Sequence, residues 1–189
     1  MSFKRFLLVI VLFAAAAFLA AGRAFALDVP PLAAPVNDHA SVLAPEVKNR
    51  LNAELLALQQ ETGAQIAVLT IPSLEGEVLE DYSLRAASTW GLGEKDKNNG
   101  VLLFVAIDDR MLRIEVGLGL ERTLTNQLCD RIIREAIVPA FGRGDYAAGI
   151  AQGIAAMQEV VRTGRFTPPQ LAASAAPREA GQQKTGHTP

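Results

Sequence analysis

The stretch from Asn98 to Arg110 constrains the fold of this 189-residue chain more than any other. A turn leads into seven consecutive apolar residues, 101–107, and the run ends at Asp108 and Asp109. Seven residues are too few to cross a bilayer, and a strand with one wet face would alternate apolar and polar residues. The run therefore predicts a central, buried strand with polar loops at both ends. Oxygen-donating side chains in these loops are the first candidates for a functional site.

The first 26 residues have the three parts of a secretory signal peptide. A basic start precedes an apolar run over residues 6–21, and Ala24 and Ala26 form a cleavage signal of small residues. The 16-residue run is shorter than the roughly 20 residues that a membrane-spanning helix needs. We therefore expect cleavage after Ala26, with retention as an anchor as the alternative. The mature chain would be exported to the periplasm or cell envelope, with no integral membrane span after processing.

Processing would make the protein more acidic. The chain has 18 basic and 20 acidic side chains, and three basic ones precede residue 27, so the net charge would change from −2 to −5. Because nucleic-acid phosphates are bound mainly by Lys and Arg, this balance argues against a nucleic-acid partner and favours cations. Cys129 is the only cysteine, which excludes an intramolecular disulfide. Its place beside a helical apolar stripe predicts that it is buried.

The apolar patterns of the mature chain predict seven helices and strands. Periodicity and capping residues predict helices over residues 45–61, 77–90, 125–138 and 145–162, and strands over 65–71, 101–107 and 111–116. The first two strands are joined by a helix and should run parallel, whereas the last two form a hairpin. The predicted fold is α/β, a three-layer sandwich with a small mixed sheet flanked by about four helices.

Four segments of different composition divide the chain. The signal peptide, residues 1–26, is followed by a Pro-rich leader at 27–35 and a folded domain at 36–162. Large apolar residues nearly vanish from residues 163–189, which predicts a disordered tail.

Several common catalytic and metal sites are absent from the sequence. A zinc site needs three or four Cys, His or carboxylate ligands, and the chain has one Cys and two His, of which His187 lies in the predicted tail. A nucleophile–histidine pair would have to use His39, and no G-x-S-x-G elbow, G-x-G-x-x-G motif or P-loop is present. An EF-hand loop is excluded because Asn99 and Val105 stand where its glycine and bidentate glutamate belong.

Calcium or another divalent cation could still be bound by loops that the fold brings together. Carboxylate and amide oxygens are the ligands that calcium prefers, and the candidates are Asp38, Asp96, Asn98, Asn99, Asp108 and Asp109. The alternative is that they are turn and capping residues, since Asp and Asn favour those positions. Trp90 likewise has two interpretations, an aromatic wall beside a ligand or a helix end packed on the core, and we favour the second.

Six short motifs stand in the same order as in the TPM domain family. They are Val36-Asn37-Asp38 ahead of Val42-Leu43, Thr62-Gly63 with Gln65-Ile66-Ala67-Val68, Trp90-Gly91-Leu92-Gly93, Asn99-Gly100-Val101-Leu102-Leu103, Arg113-Ile114-Glu115-Val116-Gly117 with Gly119-Leu120-Glu121, and Pro139 with Phe141 and Gly144-Asp145-Tyr146. The resemblance covers about residues 36–162. Each motif is weak alone, whereas six in register are specific.

The resemblance implies an exported or membrane-tethered α/β sandwich. Family members include a thylakoid-lumen protein linked to photosystem II repair and many bacterial envelope proteins; some resemble acid phosphatases, and some bind calcium or other divalent ions. The resemblance carries the family's functional acids onto Asp38 and the pair Asp108-Asp109. Where many members have Asp-Asn-Gly and Leu-Thr-Asp, this chain has Asn98 and Asn126 in place of the acids. Because calcium affinity depends on ligand charge, we expect weaker binding.

Two functions follow from these observations. The first is a non-catalytic module that binds an envelope or membrane protein, with a weak calcium-like site that stabilises its loops; the lack of His and Cys machinery favours it. The second is a divalent-cation-dependent acid phosphatase of low activity. Asp38 or Asp108 would then position metal and water, and Arg110 would hold phosphate. No organic cofactor is expected, and the partner, metal and substrate are left open.

Overall fold

A four-stranded mixed sheet organises residues 26–169, the part of the chain that the computed structural model describes. In spatial order the strands are β1 (Val36–Asp38), β2 (Gln65–Ile71), β3 (Gly100–Ala106) and β4 (Met111–Val116). The strands β1, β2 and β3 run parallel, and β4 runs antiparallel to β3. The predicted parallel pair and hairpin are therefore confirmed.

The sheet has one strand more than the sequence predicted. β1 contains only three residues, too few for an alternating pattern to be recognised. Its pairing with β2 defines it, since Val36 stands opposite Val68 and Asp38 stands opposite Thr70.

Within the described residues, five α-helices flank the sheet. They are α1 (Pro45–Thr62), α2 (Leu79–Trp90), α3 (Asn126–Ile132), α4 (Val138–Phe141) and α5 (Tyr146–Thr163). Capping residues stand at the ends of three helices, as the sequence pattern predicted for the helix bounds: Gly63 ends α1 in the left-handed conformation, and the side chains of Thr125 and Asp145 accept backbone hydrogen bonds at the starts of α3 and α5. The single helix predicted over 125–138 is instead interrupted by a π-helical segment, Ile133–Ile137. Pro139 explains the interruption, because its ring clashes with the carbonyl group four residues earlier in a regular helix.

Two hydrophobic layers cover the two faces of the sheet. Every residue of β3 is buried, as the apolar run predicted. Alternate side chains of β2 and β3 enter a first layer with α1, α3, the π-helical segment and α5. The others enter a second layer, which contains Tyr82 and Ala86 of α2. This arrangement confirms the predicted three-layer α/β sandwich.

The Pro-rich leader packs on the second layer beside α2. Leu27, Val29 and Leu32 contact that layer, and the indole N–H of Trp90 donates to the carbonyl oxygen of Pro30 at 2.7 Å. Trp90 is itself packed against the same layer, which confirms the favoured interpretation of this residue. The leader is thus part of the wall that closes one face of the sheet.

Cys129 is buried, with 5% of its surface exposed, as its position in the sequence predicted. Burial, with a smaller contribution from the charge of Asp130, raises the pKa of its thiol to about 11. The thiol is therefore protonated at neutral pH and is a poor nucleophile.

The ends of the chain extend beyond the described residues. The predicted signal peptide, apart from Ala26, and residues 170–189 of the predicted tail lie outside them. The start of that tail contacts the domain, because Phe166 packs against the first layer and the guanidinium group of Arg131 lies 5.5 Å from its ring. Among residues 26–169, no helix combines the length and apolar character that a bilayer crossing requires.

Candidate functional site

The six predicted oxygen donors lie in two groups at opposite ends of β3. Asp38 ends β1 and residues 108–109 follow β3, so these acids lie at the carboxyl edge of the parallel strands. Residues 96–99 instead precede β3. A seven-residue strand is roughly 20 Å long, so one ion cannot contact both ends. The six donors therefore do not converge on a single site, and the prediction that the fold brings all of their loops together is wrong.

The carboxylate of Asp38 organises the loop between β1 and α1. Its Oδ1 accepts hydrogen bonds from the Thr70 hydroxyl group and from the backbone N–H of Val42, and its Oδ2 accepts from the N–H of Leu43 at 2.9 Å. Thr70 is fully buried, so Asp38 satisfies a hydroxyl group that water cannot reach.

The acids after β3 stabilise the neighbouring loop after β2. Oδ2 of Asp109 accepts from the backbone N–H of Leu74 at 2.7 Å, and Oδ1 accepts from the hydroxyl group of Ser73 at 3.2 Å. Asp108 and Arg110 have exposed side chains. Because β2 lies between β1 and β3 and the register places Asp38 level with Val105, Asp38 and Asp108 are separated by at least two strand spacings, roughly 10 Å.

The amide of Asn99 is a structural brace at the other end of β3. Its Oδ1 accepts from the backbone N–H of Glu94 at 2.8 Å, and its Nδ2 donates to the carbonyl oxygen of Gly63 at 2.8 Å. The side chain is 8% exposed. Asn98 and Asp96 are exposed, and Asn98 has a φ of 49°, a conformation that Asn tolerates better than most residues.

Two glycines let this loop rest directly on the turn after β4. A Cβ atom on Gly117 would lie 2.2 Å from the carbonyl oxygen of Asn98, and one on Gly119 would lie 1.9 Å from that of Lys97. The backbone N–H of Gly119 donates to the Asn98 carbonyl oxygen at 3.1 Å. Any larger residue would force the two segments apart, which accounts for the Gly-Leu-Gly sequence at this position.

An open cleft lies between α2 and β4 and reaches this loop. Its volume is about 430 Å³, within the range of ligand-binding pockets. Apolar side chains of Leu84, Leu92 and Val116 line it, and Glu94, Asn98 and Glu115 contribute oxygen atoms. Of the predicted site residues, only Asn98 lines this cleft. We name these six residues the α2–β4 cleft.

The two carboxylates of the α2–β4 cleft already have cationic partners. Lys97 Nζ lies 2.8 Å from Glu94, and the hydrogen bond between them lowers the pKa of Glu94. Glu115 Oε1 accepts from the Ser83 hydroxyl group at 2.6 Å and from the guanidinium group of Arg113. Within residues 26–169, no three His, Cys, Asp or Glu side chains are grouped so that they could hold a metal ion. A divalent ion here would have to compete with Lys97 or Arg113.

The sequence offered two signals for this cleft, and neither is specific. In the sequence, Leu84 stands on a flank of the apolar stripe predicted for residues 77–90; in the structure it is 60% exposed. The two Gly-x-Gly breaks at Gly91 and Gly117 flank the cleft. Their proximity depends on the register of α2 against β4, which local patterns do not encode.

Asp38→Ala is expected to destabilise the domain by about 1–3 kcal/mol, because a buried hydroxyl and two backbone N–H groups lose their acceptor. Urea denaturation in EDTA measures the loss. The exposed residue Asp96 provides the control, since Asp96→Ala should change stability by less than about 0.5 kcal/mol. If Asp38 instead belonged to a repulsive cluster of metal ligands, its removal would raise stability in EDTA.

Comparisons with known proteins agree with the fold. The N-terminal domain of a protein from P. gingivalis is 37% identical, with a TM-score of 0.67 over 71% of this chain and 88% of that chain. Two less similar structures share the fold. The N-terminal domain of cg2496 from Corynebacterium glutamicum is 16% identical, with a TM-score of 0.54 over 87% of this chain and 97% of its own. The BA42 protein from Bizionia argentinensis is 19% identical, with a TM-score of 0.56 over 68% and 88%.

No curated protein matches the chain. The family model described as the TPM domain matches residues 36–160, which is well over half of the chain and contains all four strands of the sheet and most of α5. The chain therefore belongs to the TPM domain family.

Proposed function

We propose that this chain is an exported, non-catalytic binding module of the cell envelope, and that the α2–β4 cleft receives a segment of an envelope or membrane protein. The α2–β4 cleft is the observation that carries the proposal. It combines exposed apolar surface with acceptor oxygens at its rim, the combination that anchors an apolar side chain and orients a polar neighbour. Export is supported by the signal-peptide pattern of residues 1–26.

The charge pattern of the α2–β4 cleft favours recognition over catalysis. Its two carboxylates are held by Lys97 and Arg113, and neither the histidine nor the cysteine of the folded part lines it. The buried thiol of Cys129 is kept protonated. Among the described residues, the lining of this cleft therefore includes no histidine or cysteine that could act as base or nucleophile.

Leu84→Asp should abolish partner capture, because it places a charge in the apolar part of the α2–β4 cleft. We expect a loss of about tenfold or more in the amount of one reproducible envelope protein retained by the immobilised domain. Leu56→Asp is the matched control, since Leu56 is also an exposed leucine of a helix, at 47%, but lies on α1 across the sheet. Equal capture by both variants would exclude the cleft as the binding surface.

A weak divalent-cation site completes the proposal, at the rim of the α2–β4 cleft where Asn98 and Glu94 supply oxygen atoms. Few charges are available to the ion, and Lys97 competes for one of them. We therefore expect an affinity like that of extracellular calcium modules, with a Kd of about 1 mM.

Calcium at 10 mM should then stabilise the domain by about 1.4 kcal/mol and raise its Tm by roughly 3–6 °C over EDTA. Asn98→Gly should remove this increment, because it deletes the amide oxygen while accepting the left-handed backbone of this position. Asp108→Asn, at the opposite end of β3, should show the same rise in Tm with calcium as the wild type. If Asp108→Asn lost the calcium effect and Asn98→Gly kept it, the ion would lie at the carboxyl edge of the sheet. If calcium left the Tm of the wild-type protein unchanged, the site would be excluded.

A phosphatase is the second candidate function, because the matching family model carries the name TPM_phosphatase. Asp108 and Arg110 stand two residues apart in the turn after β3, at the carboxyl edge of the sheet, and both are exposed. The guanidinium group of Arg110 would bind phosphate in a bidentate manner, and the Asp108 carboxylate would accept a proton from the attacking water.

If this activity exists, purified protein should hydrolyse p-nitrophenyl phosphate, and Asp108→Asn should lower kcat by about a hundredfold or more. Asp96→Asn, a change of the same kind at the other end of β3, should leave the rate unchanged. Wild-type protein without turnover in calcium, magnesium and manganese would eliminate the phosphatase and leave the binding module.

A further inference from the structure

The backbone nitrogen of Leu27 is held by a charged side chain of the loop before α2. It donates to Oε2 of Glu77 at 3.0 Å. On the other side of the same residue, Arg85 Nη2 donates to the carbonyl oxygen of Leu27 at 2.8 Å. Both terminal guanidinium nitrogens of Arg85 also donate to the carboxylate of Glu77. The first residue after the predicted cleavage signal is thus fixed at both of its backbone polar groups.

The Glu77–Arg85 pair is partly buried and well supported. The side chains are 19% and 34% exposed, so water screens the pair less than it screens a surface ion pair. The Arg85 guanidinium group lies 5.1 Å from the centre of the Tyr82 ring, and the Tyr82 hydroxyl group donates to the carbonyl oxygen of Asp28 at 3.2 Å. The hydrogen bond from Arg85, followed by that from Leu27, lowers the pKa of Glu77. Glu77 is therefore an anion at neutral pH.

We propose that Leu27 is the first residue of the mature protein and that Glu77 is the binding site for its α-ammonium group. The inference rests on the proposed export of the chain. Ala24 and Ala26 supply the small residues that signal peptidases require, and the scissile bond would be the one between Ala26 and Leu27. The nitrogen released by that cleavage is the atom that already lies 3.0 Å from the Glu77 carboxylate.

The cleavage is a hydrolysis, and water is its only co-reactant. The hydroxyl group of the water adds to the carbonyl carbon of Ala26, the C–N bond breaks, and a proton passes to the nitrogen of Leu27. The new carboxyl group of Ala26 then loses a proton, and the amine, with an ordinary pKa of about 7.7–8.0, gains one at neutral pH. A neutral amide donor facing Glu77 is thereby replaced by a cation with three N–H groups.

The surroundings of Leu27 favour that cation. Asp28 and Glu75 line the same small cavity of about 260 Å³ as Leu27, together with His39, so two further carboxylates offset the repulsion from Arg85. Hydrogen bonds between ionised partners are roughly twice as strong as neutral ones. Processing therefore fastens the leader more firmly on the second hydrophobic layer, to which Leu27, Val29 and Leu32 contribute.

A chemical double-mutant cycle tests the proposal on the mature chain, residues 27–189, released from a fusion so that Leu27 is its first residue. Acetylation of the Leu27 amine keeps one N–H donor and removes the charge. We expect acetylation to lower the Tm by about 3 °C in the wild-type chain and by much less in Glu77→Gln. Glu80→Gln, which alters an exposed acid of α2, is the control and should respond to acetylation as the wild type does.

Equal effects of acetylation on the wild type and Glu77→Gln, including no effect on either, would overturn the proposed ammonium site. Amino-terminal sequencing of the protein exported by cells gives a second readout, and a first residue other than Leu27 would also overturn it. The melting experiment uses purified chain and is independent of partner capture at the α2–β4 cleft. Its failure would therefore leave the proposed binding function untouched.

Discussion

The complete burial of β3 is the constraint on which the rest of this structure depends. Seven residues without an exposed position require cover on both faces of the sheet, and the chain supplies it with α1, α3 and α5 on one side and α2 with the leader on the other. The same strand sets the distance between the loops at its two ends. The length and burial of this one strand therefore determine which polar groups of the domain can meet.

Sequence reasoning succeeded where a pattern is local and long. The apolar run of β3, the alternation of β4 and the caps of α1, α3 and α5 each depend on neighbouring residues, and the structure confirms them. β1 escaped detection because three residues carry no period. The grouping of six oxygen donors was wrong for a reason the sequence already contained, since Asn99 precedes β3 and Asp108 follows it. The α2–β4 cleft was not predictable, because it arises from the packing of segments distant along the chain.

Two of the four aspartates that the sequence offered as metal ligands hold loops in place, and two glutamates of the α2–β4 cleft are paired as well. Asp38 and Asp109 accept hydrogen bonds from backbone N–H groups, and Glu94 and Glu115 pair with basic side chains. The net acidic charge therefore does not mean that anionic sites are free, because these carboxylates already accept hydrogen bonds from backbone or basic groups in the folded domain. This distribution explains why shape and apolar contact, more than charge, define the surface that we propose for binding.

The brace formed by Asn99 couples the two outer layers of the sandwich around the end of the sheet. Its amide joins the loop at Glu94, on the rim of the α2–β4 cleft, to Gly63, where α1 ends on the opposite side. Whatever displaces that rim must also strain or release the last turn of α1, since a single side chain bridges both. The two faces of the domain are consequently joined by one amide at the edge of the sheet, outside both hydrophobic layers.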